Sequence, residues 1–309
     1  MHPQTTFELR ITPCGKDVAQ KEQAKAELVA WLLSVGCTAF VEGALDCDVD
    51  HDYDDASRNL YQELDGDTAP LSLYRYNREE LDDLQTRIAS KFAERVALEM
   101  LSHPTSEWME GWKESFRPFT TKRFYVRPPW CDESDDTSKM DLVIEPGMAF
   151  GTGQHATTQL CLAQIEGVAE RLRERLSSQT VLDVGTGTGI LAIACHKLGF
   201  GAIAATDIEA DAVTATLENT KMNRAQVAVA KGSVVEGEFD LVVANILSVV
   251  LRKLMPDLAG AVTAGGHLLL SGILAEEETE MRGRIEEAGL TVVGSEVMSG
   301  WTAILGSKP

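Results

Sequence analysis

A chain of 309 residues with 48 Asp and Glu against 28 Lys and Arg carries a formal charge of −20. That balance excludes a protein built mainly to grip nucleic-acid phosphates, which needs clustered cations; it suits a basic partner, or is simply a solvated acidic surface. Apolar residues make up 44%, enough for a real core, and the length suits two domains.

No run of about 18 apolar residues suggests a membrane span. Residues 1–10 lack the charged head and apolar run of a secretory signal. Six cysteines (Cys14, Cys37, Cys47, Cys131, Cys161, Cys195) include no CxxC pair. They fit reduced thiols in a cytoplasm, and no metal site is expected.

Residues 6–12 alternate as a strand does, and 17–35 read as a helix with Ala24, Leu28, Trp31 and Leu32 on one face. Gly36 is placed to end that helix, and 38–41 read as a second strand. The acidic run Asp46, Asp48, Asp50, Asp52, Asp54, Asp55 has the alternation of a calcium loop. His51 and Ser57 stand where that loop needs Gly and a bidentate Glu, so a solvated loop is expected. Residues 71–76 read as a strand. Residues 78–101 read as a helix, on the spacing of Leu81, Leu84, Ile88, Phe92 and Val96, stopped by His103-Pro104. Trp108, Trp112, Phe116, Pro118 and Phe119 follow, then a strand over 123–126 before Pro128-Pro129-Trp130. These aromatics suit packing better than a substrate platform. Residues 131–139 read as a surface loop.

From Thr180 onward strands and helices alternate. Apolar runs at 180–184, 202–206, 227–230, 241–244 and 267–271 are separated by helical patterns near 190–198, 211–222, 247–258 and 276–288. This is the signature of a mostly parallel sheet covered on both faces. The last two runs, 291–296 and 302–305, have only a short Ser-Gly connection and are expected to form an antiparallel hairpin at one edge.

Val181-Leu182-Asp183-Val184-Gly185-Thr186-Gly187-Thr188-Gly189 is a buried strand ending in a glycine-rich turn that opens a helix. Glycines let a backbone turn sharply and approach a ligand beyond the carboxyl ends of the strands. Dinucleotide enzymes use G-x-G-x-x-G, but here the third glycine is displaced and residue 190 is Ile. Asp183 before the turn repels a pyrophosphate and suits the cationic donor S-adenosylmethionine. Asp207 closes the second strand, where a carboxylate can accept both ribose hydroxyls of either cofactor. Asn245 follows the fourth strand directly, and that strand is expected beside the first, so its amide lies close to the donor methyl; capping the next helix is its alternative role. Upstream, the segment from Glu145 to Thr158 is too glycine-rich for an ordinary helix entry and reads as a loop over a ligand, with a helix starting at Thr157-Thr158. His155 within it reads as a structural histidine or a catalytic base.

Together, Phe150-Gly151-Thr152-Gly153-x-His155-x-Thr157-Thr158, Asp183-x-Gly185-x-Gly187-x-Gly189-Ile190-Leu191-Ala192 and Asn245-Ile246-Leu247 resemble the methyltransferases of large-subunit ribosomal protein eleven, the PrmA family. The segment from Trp108 to Trp130 and Ser271-Gly272-Ile273-Leu274 are also similar, so the resemblance covers roughly 105–305; Gln154 and Ala156 depart from it.

The resemblance implies an α/β protein of the class I methyltransferase fold: a Rossmann-like, mostly parallel seven-stranded sheet with a small N-terminal α+β domain. The expected division is 1–100 for substrate recognition, 101–139 as linker and 140–309 as the methyltransferase domain. S-adenosylmethionine is the implied donor. Its expected contacts are Thr158, Gly185, Gly187, Asp207, Asn245 and Asp183, with Phe150 and Gly151 shaping the loop and Asn245 as catalytic residue. The implied substrate is a basic ribosomal protein, methylated on lysine or terminal amines in the cytoplasm, without direct nucleic-acid or membrane binding. Methylation of another protein or a small molecule keeps the same chemistry. A nucleic-acid amino-methyltransferase usually has Asn-Pro-Pro-Tyr where Asn245-Ile246-Leu247 stands here. A nicotinamide oxidoreductase and a non-catalytic binding module are the remaining alternatives.

Overall fold

The computed structural model describes residues 5–35, 37, 41–42, 70–75, 77–104, 117–145, 153, 155–233 and 237–309. The chain divides into two compact units, Met1–Phe116 and Arg117–Pro309.

In the first unit the strands β1 (Thr5–Pro13), β2 (Val41–Glu42), β3 (Leu71–Arg75) and β4 (Val96–Pro104) form one antiparallel sheet in the order β2-β3-β1-β4. Helices α1 (Val18–Ser34) and α2 (Arg78–Phe92) cover one face. Period-two burial puts Leu9 and Ile11 against Leu28 and Leu32 of α1 and Leu81 and Ile88 of α2. Each such aliphatic side chain contributes about 1.5–3 kcal/mol when fully buried. Alternation sends Glu8, which precedes Leu9, to the opposite face, where its carboxylate accepts from Ser72 Oγ (2.7 Å) and Arg10 Nε (2.9 Å) and meets His103 Nε2 at 2.8 Å.

The helix expected over 78–101 ends at Phe92, and Val96–Pro104 is a strand. Asn77 caps the start, its side chain accepting from Glu79 N–H. The stop is Ala93 at φ +44°, a conformation no helix continues. Val96, Leu98 and Met100 then alternate onto the core while β4 pairs with β1 along its whole length. Val96 belongs to both patterns, four residues after Phe92 on the helical spacing and two before Leu98 on the strand alternation, and the long antiparallel pairing favours the strand.

The second unit carries a seven-stranded sheet in the order β10-β9-β8-β11-β12-β14-β13. Its strands are β8 (Val181–Val184), β9 (Ile203–Asp207), β10 (Ala228–Lys231), β11 (Phe239–Asn245), β12 (Val262–Leu274), β13 (Thr291–Met298) and β14 (Trp301–Ser307). The first five are parallel. β14 runs antiparallel between β12 and the edge strand β13, as the hairpin reading requires. Helices α3 (Ala156–Arg171) and α4 (Ile190–Leu198) contribute to the core on one face, with Val181, Val243 and Leu269. Helices α6 (Ser248–Gly260) and α7 (Glu278–Glu287) contribute to the other, with Leu182, Val242 and Leu270. Helix α5 (Ala210–Met222) joins β9 to β10.

Residues 117–139, expected as part of a connection, pack within this second unit. Strands β5 (Phe119–Thr120), β6 (Phe124–Arg127) and β7 (Met140–Val143) form a small sheet, and Phe124, Val126 and Leu142 enter the same core as α3 and α4. The buried carboxylate of Glu166 on α3 fixes this sheet by accepting from Thr121 Oγ1 and from Arg123 N–H (2.9 Å). Among the described residues, no helix is long and apolar enough to cross a membrane.

Gly36 as a helix stop, 38–40 of the expected second strand, the acidic run 46–55, Tyr76, and the aromatics Trp108, Trp112 and Phe116 lie outside the described residues.

Candidate active site

The site is built at the carboxyl ends of β8, β9 and β11. All four residues of β8 are buried, and the chain then turns through Gly185 (φ +71°), Gly187 (φ +57°) and Gly189 (φ +83°) into α4. These left-handed conformations are costly for residues with a Cβ. The N–H groups of Gly185 and Thr186 both donate to Thr206 O, at 2.8 and 3.0 Å, which ties the turn to β9.

Asp183 lies beneath the turn, 1% exposed. Its Oδ2 accepts from Thr186 Oγ1 (2.7 Å) and from Ala192 N–H (3.3 Å) on α4, while Oδ1 has no partner among the described residues. Burial pushes its carboxyl up to about 6, and the charge of Asp207 acts in the same direction. The Thr186 hydroxyl and the Ala192 N–H oppose the rise. The carboxylate therefore already braces the turn with one oxygen and keeps the other as an unused acceptor.

Asp207 ends β9. One of its oxygens accepts from Gly187 N–H and the other from Glu209 N–H, both at 3.0 Å. These bonds fix its orientation, and each carboxylate oxygen retains capacity for a further donor.

Asn245 ends β11, which pairs in parallel with β8 as expected, Val243 opposite Asp183 and Ala244 opposite Val184. Alternation puts Asn245 on the same face of the sheet as Asp183, toward α3 and α4. Its Nδ2 reaches the buried Thr158 Oγ1 of α3 at 3.5 Å, a weak contact. Its Oδ1 is buried with no hydrogen-bond partner among the described residues. The next helix starts with Leu247 as its cap residue, so Asn245 does not cap it.

The connection after Asn245 is wedged between two glycines. A Cβ on Gly185 would lie 2.3 Å from Ile246 Cγ2, and one on Gly272 would lie 2.2 Å from the Ile246 carbonyl oxygen. Gly272 sits at φ +81° in a bulge of β12, where the pairing with β14 slips between Leu270 and Ile273.

His155 is the N-cap of α3. Its Nδ1 faces Thr157 Oγ1 at 2.7 Å and Thr157 N at 3.3 Å, and its ring meets Trp301 edge-on with centroids 4.9 Å apart. Of the two readings of this histidine, the structure displays the structural one. Phe150, Gly151 and Gln154 lie outside the described residues. Gly153 is described, with Phe119 and Ile190 side chains about its Cα face.

The structure thus brings Thr158, Asp183, Gly185, Gly187, Asp207 and Asn245 together at one end of the sheet. Trp301, which no motif marks, went unforeseen, as did the α5 side chains Thr216 and Asn219. The signal for the latter two is the spacing Thr216, Asn219, Asn223, which puts three polar residues on one helix face.

The family model of the ribosomal protein L11 methyltransferases (PrmA) matches residues 17–309. This chain belongs to that family. It is similar to the ribosomal protein L11 methyltransferase of Symbiobacterium thermophilum, 39% identical over 207 residues, covering 66% of this chain and 66% of the relative. The match therefore spans just under two thirds of that relative's length. The Staphylococcus aureus (strain USA300) ribosomal protein L11 methyltransferase is 33% identical over 241 residues, covering 75% of this chain and 72% of its own. Among solved structures, the ribosomal protein L11 methylase from Lactobacillus delbrueckii subsp. bulgaricus is 34% identical with a TM-score of 0.56, covering 62% of this chain and 98% of that one. The fold of the second unit is that of a class I methyltransferase.

Proposed function

We propose that this PrmA-family chain transfers methyl groups from S-adenosylmethionine to amino groups, of lysine or of the chain terminus, on large-subunit ribosomal protein L11. The observation that carries this reading is the buried Oδ1 of Asn245, without a hydrogen-bond partner among the described residues, on the strand beside the glycine-rich turn. An acceptor atom kept dry and unpaired is costly unless a ligand supplies the donor.

The residues fit an adenosyl donor. The glycine turn permits close backbone approach, and Asp183 places negative charge where a pyrophosphate would be repelled and a cation welcomed. Asp207 is oriented to accept from a ribose, and the Thr158 hydroxyl lies beside Asn245. Phe150 and Gly151 complete the set by family likeness. The bound donor supplies an electrophilic methyl group on a sulfonium.

The chain's own task is to position its acceptor as a neutral amine. A lysine amine, with its usual pKa near 10.4, must reach the site neutral. Low-dielectric surroundings with a neighbouring positive charge depress that pKa. Asn245 Oδ1 then accepts an N–H of the neutral amine and aims its lone pair, a role that is pure positioning. Residues 1–100 are assigned the choice of substrate. The charge of −20 draws a basic partner, and the work is placed in the cytoplasm without membrane or direct nucleic-acid contact.

Calorimetric titration of the full chain with S-adenosylmethionine and with reduced nicotinamide cofactor tests the donor class. Binding of the first alone is expected; binding of the second alone would overturn the assignment.

A further inference from the structure

One face of α5 grips the glycine-rich turn from behind. Thr216 is fully buried and its Oγ1 donates to Gly187 O at 2.9 Å. One helical turn on, Asn219 is also buried, and its Nδ2 donates to Thr188 O at 2.8 Å. The same amide's Oδ1 accepts from Glu145 N–H at 2.8 Å. Asn223 continues the row, its Oδ1 accepting from Val143 N–H at 3.0 Å.

Gly187, the middle of the turn, is consequently held from both sides. Its N–H is on the Asp207 carboxylate and its carbonyl on the Thr216 hydroxyl. Two successive carbonyls of the turn are satisfied by side chains of one helix, and that helix also anchors the chain at the end of β7. The five-residue turn holds three left-handed glycines, and glycine carries the largest backbone entropy, so the braces from α5 add to the local bond between Asp183 and Thr186.

Resting on the reading of this turn as the donor site, we propose that Thr216 and Asn219 are positioning residues for the methyl donor. They lock the backbone of the turn in its binding conformation before the ligand arrives. Preorganisation of this kind acts on affinity, since an unbraced turn must be ordered at the expense of binding. The predicted signature is a loss of donor affinity with the chemical step preserved.

The test compares wild type with Thr216→Val, which keeps the methyl group and removes the hydroxyl, and Asn219→Asp, which keeps an acceptor for Glu145 N–H and loses the donor to Thr188 O. S-adenosylhomocysteine affinity is measured by calorimetry, and KM and kcat are measured with S-adenosylmethionine. Each variant is expected to weaken binding about fivefold to tenfold, the worth of one hydrogen bond. KM for the donor should follow, and kcat should stay within about twofold. Ile285→Val, in the core on the other face of the sheet, controls for stability loss alone. It should lower the melting temperature and leave affinity unchanged. Folded Thr216→Val and Asn219→Asp proteins that bind as wild type does would overturn the proposal. If Asn219→Asp does not fold, Thr216→Val decides by the same criterion. A wild-type chain that binds no adenosyl ligand would instead overturn the donor reading itself, and this inference with it.

Discussion

The close approach of Gly272 to Ile246 gives the sharpest stability prediction. In Gly272→Ala the new Cβ would meet the Ile246 carbonyl oxygen at 2.2 Å, a backbone atom that cannot rotate away. The residue would also hold φ +81° with a side chain, which costs about 1–2 kcal/mol. Relieving the overlap adds about 1–3 kcal/mol of overpacking strain, giving a total of about 2–5 kcal/mol. Gly265 supplies the comparison, because it has φ +77° and nothing lies within 4 Å of where an added methyl would sit. Gly265→Ala therefore carries the conformational cost alone. For a unit of this size each kcal/mol lowers the melting temperature by about 2–4 °C. Scanning calorimetry of the full chain should give a fall of about 4–20 °C for Gly272→Ala and about 2–8 °C for Gly265→Ala. Because Ile246 follows Asn245 directly, the larger shift should come with at least a tenfold loss of methyl transfer (about 1.4 kcal/mol). Equal melting temperatures for the two variants would refute the reasoning from the Ile246 contact.

Three further outcomes are expected. Asn245→Ala should lower kcat by about a hundredfold, in the range of lost transition-state positioning, and leave S-adenosylhomocysteine affinity within about threefold; unchanged turnover would remove Asn245 from the catalytic role. Asp183 has a folded pKa of about 6, raised from 3.8 by burial. The folded state therefore holds this proton more tightly than the unfolded one, and the group's contribution to stability declines as pH rises from about 4 through about 6. The stability of Asp183→Asn relative to wild type should rise across that window by up to about 3 kcal/mol, and denaturant midpoints that run parallel would contradict it. Finally, the acidic chain and the basic substrate proposed for it should meet more slowly as salt rises, so kcat/KM for the protein substrate should fall from low to physiological ionic strength. A flat profile would argue against steering.

Much of the second unit could be read in advance because β8, β9 and β11 are short apolar runs, each followed by a helix of the other period. That rhythm placed β8 beside β11 and put Asn245 at the site. One strand was only partly visible and another was read as helix. β12 runs from Val262 to Leu274, and Gly265-Gly266 hid its first half. β4 was hidden because Val96, its first residue, continues the helical spacing, and the break is made by Ala93, a residue that rarely signals a positive φ. The second unit begins at Arg117, ahead of the expected 140, because Phe119, Phe124 and Val126 sit among polar and proline-rich residues yet reach its core. The braces of the turn were illegible for another reason. Thr216, Asn219 and Asn223 look like the solvated face of a polar helix, and only the fold reveals that their partners are backbone groups of distant segments. Asp183 was expected as a ligand contact, and its bond to Thr186 adds a bracing role that spacing alone does not disclose.

The most direct test of the central claim is transfer of labelled methyl from S-adenosylmethionine to purified large-subunit ribosomal proteins, with sites located by mass spectrometry. Label on lysine or terminal amines of L11 is the expected result. Tight donor binding with no label on L11 would contradict the assigned substrate, and label on carboxyl or hydroxyl oxygens would contradict the amine chemistry built around Asn245.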